Sequence, residues 1–313
     1  MSIFVKNDKV CTEPACFGGW FLFDNNKSTT AIAAYCELYQ MHNDGSIFHY
    51  IGKGTAQDQC TTGGFCENWK QLDQNAQTKA IAVGAPYSTQ NVPPFLYQLH
   101  NDGSIFRKND KACADAACFG GWDTLDLNPR TVEIAAGFNG LYQRHGDGKI
   151  FRWDGKTLCD ASGCGGWALL DQNPNTEVIA AGHGFYQMHT DGAIFRYMGA
   201  GEACTATPCP NWEQQSGPDP MTIAIKAGFP TLYRLRQDGE LLRRNNNPCV
   251  GVDCLNGWDL LDQNPNTAAI TAGRFLYQMH SDGSIFRFNG AAWDQLDANP
   301  GTKGIVVDGT LSR

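Results

Sequence analysis

The chain of 313 residues has no apolar run near the ~20 residues that carry a helix across a bilayer, and no window keeps a 3.6-residue period. Neither membrane insertion nor a helical architecture is expected. Basic residues are few and scattered: 24 Lys and Arg stand against 32 Asp and Glu, a net charge of −8. A groove that tracks phosphates needs them clustered, so nucleic acid is not an expected partner. The opening MSIFVKND does not read as a signal peptide. No linker, low-complexity tract or charge block divides the chain, and residues 1–313 read as a single domain. Catalytic signatures are missing as well: there is no G-x-S-x-G, no H-E-x-x-H and no Walker glycine loop. The Asp-Gly pairs lack the acidic ladder of a calcium loop. No enzymatic activity, cofactor or metal is therefore expected.

What the chain has instead is repetition. LYQMHNDGSIFHY, from Leu38, returns with small changes from Leu96, Leu141, Phe185, Leu232 and Leu276. Each copy is followed by a tryptophan and then a phrase such as LDQNPNTEVIAAG. The tryptophans at this position are Trp20, Trp69, Trp122, Trp167, Trp212, Trp258 and Trp293, one more than the hairpin copies. The termini account for the difference. SIFVKNDKVC near the start matches the middle of a repeat at SIFRKNDKAC, and GIVVDGTLSR at the end matches the first half, AITAGRFLYQ.

Each unit reads as four short strands. A small-residue run, Ile179-Ala180-Ala181-Gly182 in one copy, is followed by L-Y-Q-x-H and x-I-F-R, joined by an Asp-Gly turn, a strong hairpin signal. The tryptophan opens the fourth strand and N-P-N-T carries the chain onward. Trp-to-Trp spacings of 35 to 53 residues suit propeller blades, with small residues on the crowded inner strand. The expected fold is all-β: a seven-bladed β-propeller of four-stranded blades, closed by pairing residues 305–313 with 3–5. An open solenoid or a barrel of hairpins is the alternative, but an open array needs caps rather than complementary halves.

Thirteen cysteines include six local pairs: Cys11/Cys16, Cys60/Cys66, Cys113/Cys118, Cys159/Cys164, Cys204/Cys209 and Cys249/Cys254, with Cys36 left over. The last unit, RFNGAAW, lacks both members together, as local disulfides predict. Zinc would need ligands in fours, and each pair stands alone. Free cysteines in a reducing compartment are the other reading. Paired cysteines favour an extracellular or cell-surface setting, while the missing leader leaves a leaderless route or the cytoplasm open. Self-association is likewise open, since the odd thiol Cys36 could be buried or could link two rings.

The polar residues recur with the repeat. Strand alternation puts Gln and His of L-Y-Q-x-H on one face, giving His42, His100, His145, His189 and His280. The hairpin closes on Arg107, Arg152, Arg196, Arg243 or Arg287, with His49 and Val5 in two units. Such groups form either a satisfied structural network or the wall of a wet cleft. The tryptophans are either blade-to-blade packing or sugar platforms, an aromatic face lying on the C–H face of a pyranose.

The order W-x-x-L-D, small-residue strand, L-Y-Q-x-H-x-D-G-x-I-F-R resembles the tectonin-type repeat of β-propeller lectins over essentially the whole chain. Tyr-Gln replaces the family's Trp-Gly in the hairpin, and the regular C-x4-C loops are additional. The resemblance implies non-catalytic glycan binding at several inter-blade or loop sites. Carried over by position, Trp122 stands for the repeat tryptophan and Arg107 for the arginine closing the hairpin, with their equivalents in other units. A multivalent lectin binding glycans or glycoconjugates is therefore the leading expectation, its weak sites summed by avidity. A protein-interaction scaffold is the alternative and predicts one face with blade-specific loops. The insert from Gly84 and the divergent unit LYRLRQDGELLRR, with EQQSGPDP before it, are the main irregularities. An enzyme working in the channel would need non-repeating groups there, and His183 and Glu177 are the candidates.

Overall fold

The structure is a computed structural model that describes residues 2–6, 20–35, 37–52, 68–84, 94–109, 121–199, 202–206, 208–245, 247–248, 250 and 257–307. Each Asp-Gly turn closes a three-residue hairpin loop. In the second copy the Gly103 amide donates to the His100 carbonyl at 3.1 Å, and the His100 amide donates to Ser104 O at 2.9 Å. Asp102 Oδ1 accepts from the Ser104 amide at 2.9 Å, which tethers the turn. Gly103 has φ of +85°, and a Cβ there would sit 2.2 Å from Asn128 O, so no other residue fits.

These hairpins organise six four-stranded antiparallel sheets, residues 29–74, 78–126, 131–171, 176–216, 222–263 and 267–297, here blades 1 to 6. In blade 3, Thr131–Gly137 pairs with Gly140–His145, which pairs with Ile150–Trp153, which pairs with Trp167–Asp171. First strands neighbour one another around an axis, and the tryptophan strands lie outermost. Their small residues are needed for that approach: a Cβ on Gly182 would meet Ala227 O of the next blade at 2.5 Å.

Ile3–Lys6 and Trp20–Asp24 form a seventh sheet of two strands. The expectation of seven complete blades closed by strand pairing of the termini is thus corrected to six complete blades and a partial seventh sheet. Residues 305–307 lie outside any strand, and 308–313 fall outside the described residues. The chain ends are nonetheless joined by side chains. Trp20 Nε1 donates to Leu296 O at 3.0 Å, and Trp20 and Ile305 both pack against Met279, Ile285 and Leu296. A tight turn brings two strands together at small entropic cost, whereas chain ends must meet without one.

The core lies between blades. Tyr97, Leu99, Ile105 and Leu125 of blade 2 pack with Leu141 and Trp153 of blade 3. Tyr186, Met188 and Ile194 of blade 4 pack with Ile225, Leu232 and Trp258 of blade 5. The isoleucine of x-I-F-R is fully buried at Ile47, Ile105, Ile150 and Ile194. Register settles which polar residues share a face. Tyr97 opposes Arg107 and Gln98 opposes Phe106, so arginine lies with tyrosine toward the following blade. Histidine and glutamine lie with phenylalanine toward the preceding one.

Cys159–Cys164 and Cys204–Cys209 are disulfides that staple the loops before Trp167 and Trp212. Cys11, Cys16, Cys36, Cys60, Cys66, Cys113, Cys118, Cys249 and Cys254 lie outside the described residues, as does most of the insert after Gly84.

Candidate binding surface

The repeated Gln-His face is occupied by a buried network between blades. Gln187 Nε2 donates to Asp171 Oδ2 of the preceding blade at 2.6 Å, and Thr176 Oγ1 donates to Gln187 Oε1 at 2.6 Å. Gln143 with Asp126 and Thr131, and Gln278 with Asp262 and Thr267, repeat this arrangement. Blade 5 reaches the same end differently. Arg234 replaces the glutamine and donates to Ser216 Oγ at 2.8 Å, while Asp219 supplies the carboxylate at 3.3 Å. A longer side chain here faces a shorter one, and the negative charge has moved to the adjoining loop.

The five histidines of the pattern are buried against phenylalanine. Ring centroids are 4.5 Å apart for His42–Phe48, His100–Phe106, His145–Phe151 and His280–Phe286, and 4.6 Å for His189–Phe195. Burial lowers the pKa of each below the ordinary value, opposed in part by nearby aspartates. These rings are neutral packing groups at pH 7.

The tryptophans wedge between blades. Nε1 of Trp69, Trp167, Trp212, Trp258 and Trp293 donates to Phe23 O, Leu125 O, Leu170 O, Gln215 O and Leu261 O of the preceding sheet, at 2.8 to 3.2 Å. Trp20 does the same across the chain ends. Trp122 packs beside the core of blades 1 and 2, but its buried Nε1 has no hydrogen-bond partner. It borders a cavity of about 430 Å³ with Gln98, His100 and Phe106.

The arginines diverge. Arg107, Arg243 and Arg287 pair with Asp123, Asp259 and Asp294 at 2.6, 2.9 and 3.1 Å. Arg152 and Arg196 instead line a cleft of about 150 Å³ between blades 3 and 4, with Asn139, Tyr142, His183 and Phe185. Tyr142 and Phe185 stack there at 3.7 Å.

Beside this cleft, the turns joining first to second strands form the rim of the channel. Their tips do not repeat: Phe138, His183, Phe229 and Arg274 occupy the same position in successive blades. The His183 ring lies 6.1 Å from Phe138 and 4.9 Å from Phe229, making an aromatic row across three blades. Backbone bonds hold the row in place, Phe138 N to Gly182 O at 3.0 Å and Phe229 N to Gly273 O at 2.9 Å. Phe138 is 45% exposed and Phe229 37%. Sequence reading treated His183 as an isolated candidate and did not single out Phe138 or Phe229. The available signal was the changing residue after each A-G, in AGFN, AGHG, AGFP and AGRF. Among the described residues no group of three His, Cys, Asp or Glu is placed to hold a metal.

Fold and surface together define the protein as a β-propeller of four-stranded blades with a blade-specific rim. No family model matches the chain, and no curated protein does. Among solved structures it is similar to human WBSCR16, with TM-score 0.55 and 11% identity over 86% of this chain and 79% of that one. It is similar to yeast RCC1 (Prp20), with TM-score 0.54 and 11% identity over 87% and 74%. YCF48 from Cyanidioschyzon merolae matches with TM-score 0.51 and 12% identity over 96% and 93%.

Proposed function

We propose that this propeller is a non-catalytic protein-interaction scaffold whose contact face is the channel rim around Phe138, His183 and Phe229. The observation that carries this reading is the exposed aromatic row. It occurs where the repeat abandons its pattern, and large apolar side chains held out to solvent by a rigid ring are what a partner's hot spot requires. The repeated Gln, His and Trp side chains are engaged in joining blades, so repetition serves the scaffold and variation serves recognition. A protein of similar fold gives a precedent: Prp20p was described with its binding properties to Gsp1p and histones.

The seventh blade belongs to the same proposal. The Thr302 amide donates to Asn299 O at 3.1 Å, repeating the turn bond that precedes the inner strands of the other blades, and Trp20 continues the tryptophan series. Both support a ring of seven units whose last inner strand comes from the C-terminal segment.

A photo-crosslinking residue at Phe138 or Phe229, compared with one at Ser281 on the opposite face, tests the contact face in cells expressing the protein. Discrete protein adducts from the rim and none from Ser281 are expected. Equal or absent labelling from both faces of folded protein counts against the reading. The tectonin-like repeat supports a second reading, multivalent glycan binding. Saturable binding to a coherent set of glycans on an array, weakened in folded Arg107→Ala or Trp122→Ala protein, would favour it instead.

A further inference from the structure

One tryptophan breaks the series. Nε1 of Trp20, Trp69, Trp167, Trp212, Trp258 and Trp293 donates to a peptide carbonyl of the preceding sheet at 2.8 to 3.2 Å. The acceptor is the third residue after the preceding unit's tryptophan, so the counterpart for Trp122 is Leu72 O. Trp122 Nε1 makes no such bond and is buried without a hydrogen-bond partner. The same strand departs again two residues on. That position holds Leu22, Gln71, Leu169, Gln214, Leu260 or Gln295 in the other units and Thr124 in blade 2. Residues two apart on a strand share a face, so the smallest side chain of that series lies beside the orphaned indole.

Both departures line the cavity of about 430 Å³ between blades 1 and 2. That size falls within the ~300–1,000 Å³ of small-molecule sites. His100, 6% exposed, adds a second polar atom without a partner, its buried Nε2. The equivalent nitrogens of His189 and His280 lie 3.4 Å from Asn173 and Asn264, while those of His42 and His145 are bare like that of His100. The indole and Thr124 are therefore what set this seam apart. A buried donor without an acceptor costs its desolvation, and a molecule that brings the acceptor recovers it. The other six seams show which acceptor the indole takes in this fold: the carbonyl of a planar amide. Asp73 and Asp102 line the cavity, and among the described residues no Lys or Arg does. Lys108 Nζ, 5.6 Å from the Trp122 ring, is engaged by Asn109 O and Gly121 O. An anion is disfavoured there, and a group that donates as well as accepts is favoured.

We propose that the cavity between blades 1 and 2 binds an uncharged amide, whose carbonyl accepts from Trp122 Nε1 in place of Leu72 O while its N–H serves His100 and the aspartates. Phe106 and Trp122 supply aromatic walls for the flat group. A free small carboxamide and the amide of another protein's Asn or Gln share this chemistry. The turn carrying Asp102 lies at the opposite end of the second strand from the rim, so this site goes beyond the protein-contact face and does not depend on it.

Full-length labelled protein is titrated with benzamide, the tripeptide N-acetyl-Gly-Gln-Gly amide, benzoate, benzyl alcohol and methyl glucoside, read by NMR at the Trp122 indole N–H and the His100 ring. Saturable binding of an amide is expected; benzamide marks a free small ligand and the tripeptide a protein side chain. Benzoate should be weaker than benzamide by about tenfold or more, since it brings charge toward two aspartates and has no donor. Trp122→Phe deletes the donor, keeps an aromatic ring and should weaken the amide by about three- to tenfold, the worth of one neutral hydrogen bond. Thr124→Leu introduces the residue that blades 3 and 5 carry there; it should fill the cavity and abolish binding while Tm holds or rises. It carries the test if Trp122→Phe does not fold. No saturation by either amide, binding of benzoate, benzyl alcohol or methyl glucoside as tight as that of the amides, or unchanged amide binding in either folded variant overturns the proposal. None of these probes reports on the rim, which stands or falls by crosslinking.

Discussion

Gln187→Met tests whether the buried Asp–Gln–Thr network holds the blades together. Gln187 is 2% exposed, Asp171 6% and Thr176 4%, so solvent cannot replace what is removed. The substitution keeps side-chain length but deletes the donor to Asp171 at 2.6 Å and the acceptor for Thr176 at 2.6 Å. A hydrogen bond to a charged group contributes about 1.5–3 kcal/mol and a neutral one about 0.5–1.5. Asp171 keeps the Gln172 amide at 2.9 Å and Thr176 keeps Asn173 O at 3.2 Å, which limits the damage. The expected cost is about 2–4 kcal/mol, or about 3–6 °C in Tm for a domain of this size. Differential scanning calorimetry and urea unfolding measure it. Gln263→Met is the control: its partner Glu240 is at the surface, and the change should stay within about 0.5 kcal/mol. Adding Asp171→Leu to Gln187→Met should recover part of the loss, because removing both partners leaves no orphaned carboxylate. If Gln187→Met costs no more than Gln263→Met, the network is decoration and the reasoning fails.

Stability should fall as pH drops through the ordinary histidine value of 6.5. Burial lowers the pKa of His42, His100, His145, His189 and His280 below 6.5, so the unfolded chain binds protons that the folded ring refuses. Their contribution is present above the unfolded pKa and lost as pH drops toward the folded one; His145→Gln should flatten the Tm profile, and an unchanged slope would refute the assignment. Trp167→Phe should cost about 1–3 kcal/mol by stranding Leu125 O, and Trp122→Phe distinctly less because no such bond exists there, a difference that paired urea titrations resolve. Replacing Cys159 and Cys164 with serine should cost about 2 kcal/mol by the chain-entropy estimate, and mass spectrometry of an unreduced digest should show the linked peptide in the parent protein.

Local chemistry determined most of the architecture. An Asp-Gly pair needs a left-handed glycine, an alternating L-Y-Q-x-H must show two faces, and small residues must gather where strands crowd, so the hairpin was legible from residues 38–50 and the blade from the repeat around them. The division of labour among the polar residues was not legible. Register decides that Arg107 lies with Tyr97 while Gln98 lies with Phe106, and register depends on one residue of loop length, which flips every side chain. The tryptophans could equally have been platforms until Leu125 O and its equivalents accepted their N–H groups. The rim escaped notice for a related reason. Phe138, His183 and Phe229 are some 45 residues apart in sequence, and nothing in a linear repeat distinguishes a varied loop tip from a neutral one. Packing of successive blades sets the three tips side by side, with the His183 ring 6.1 Å from Phe138 and 4.9 Å from Phe229.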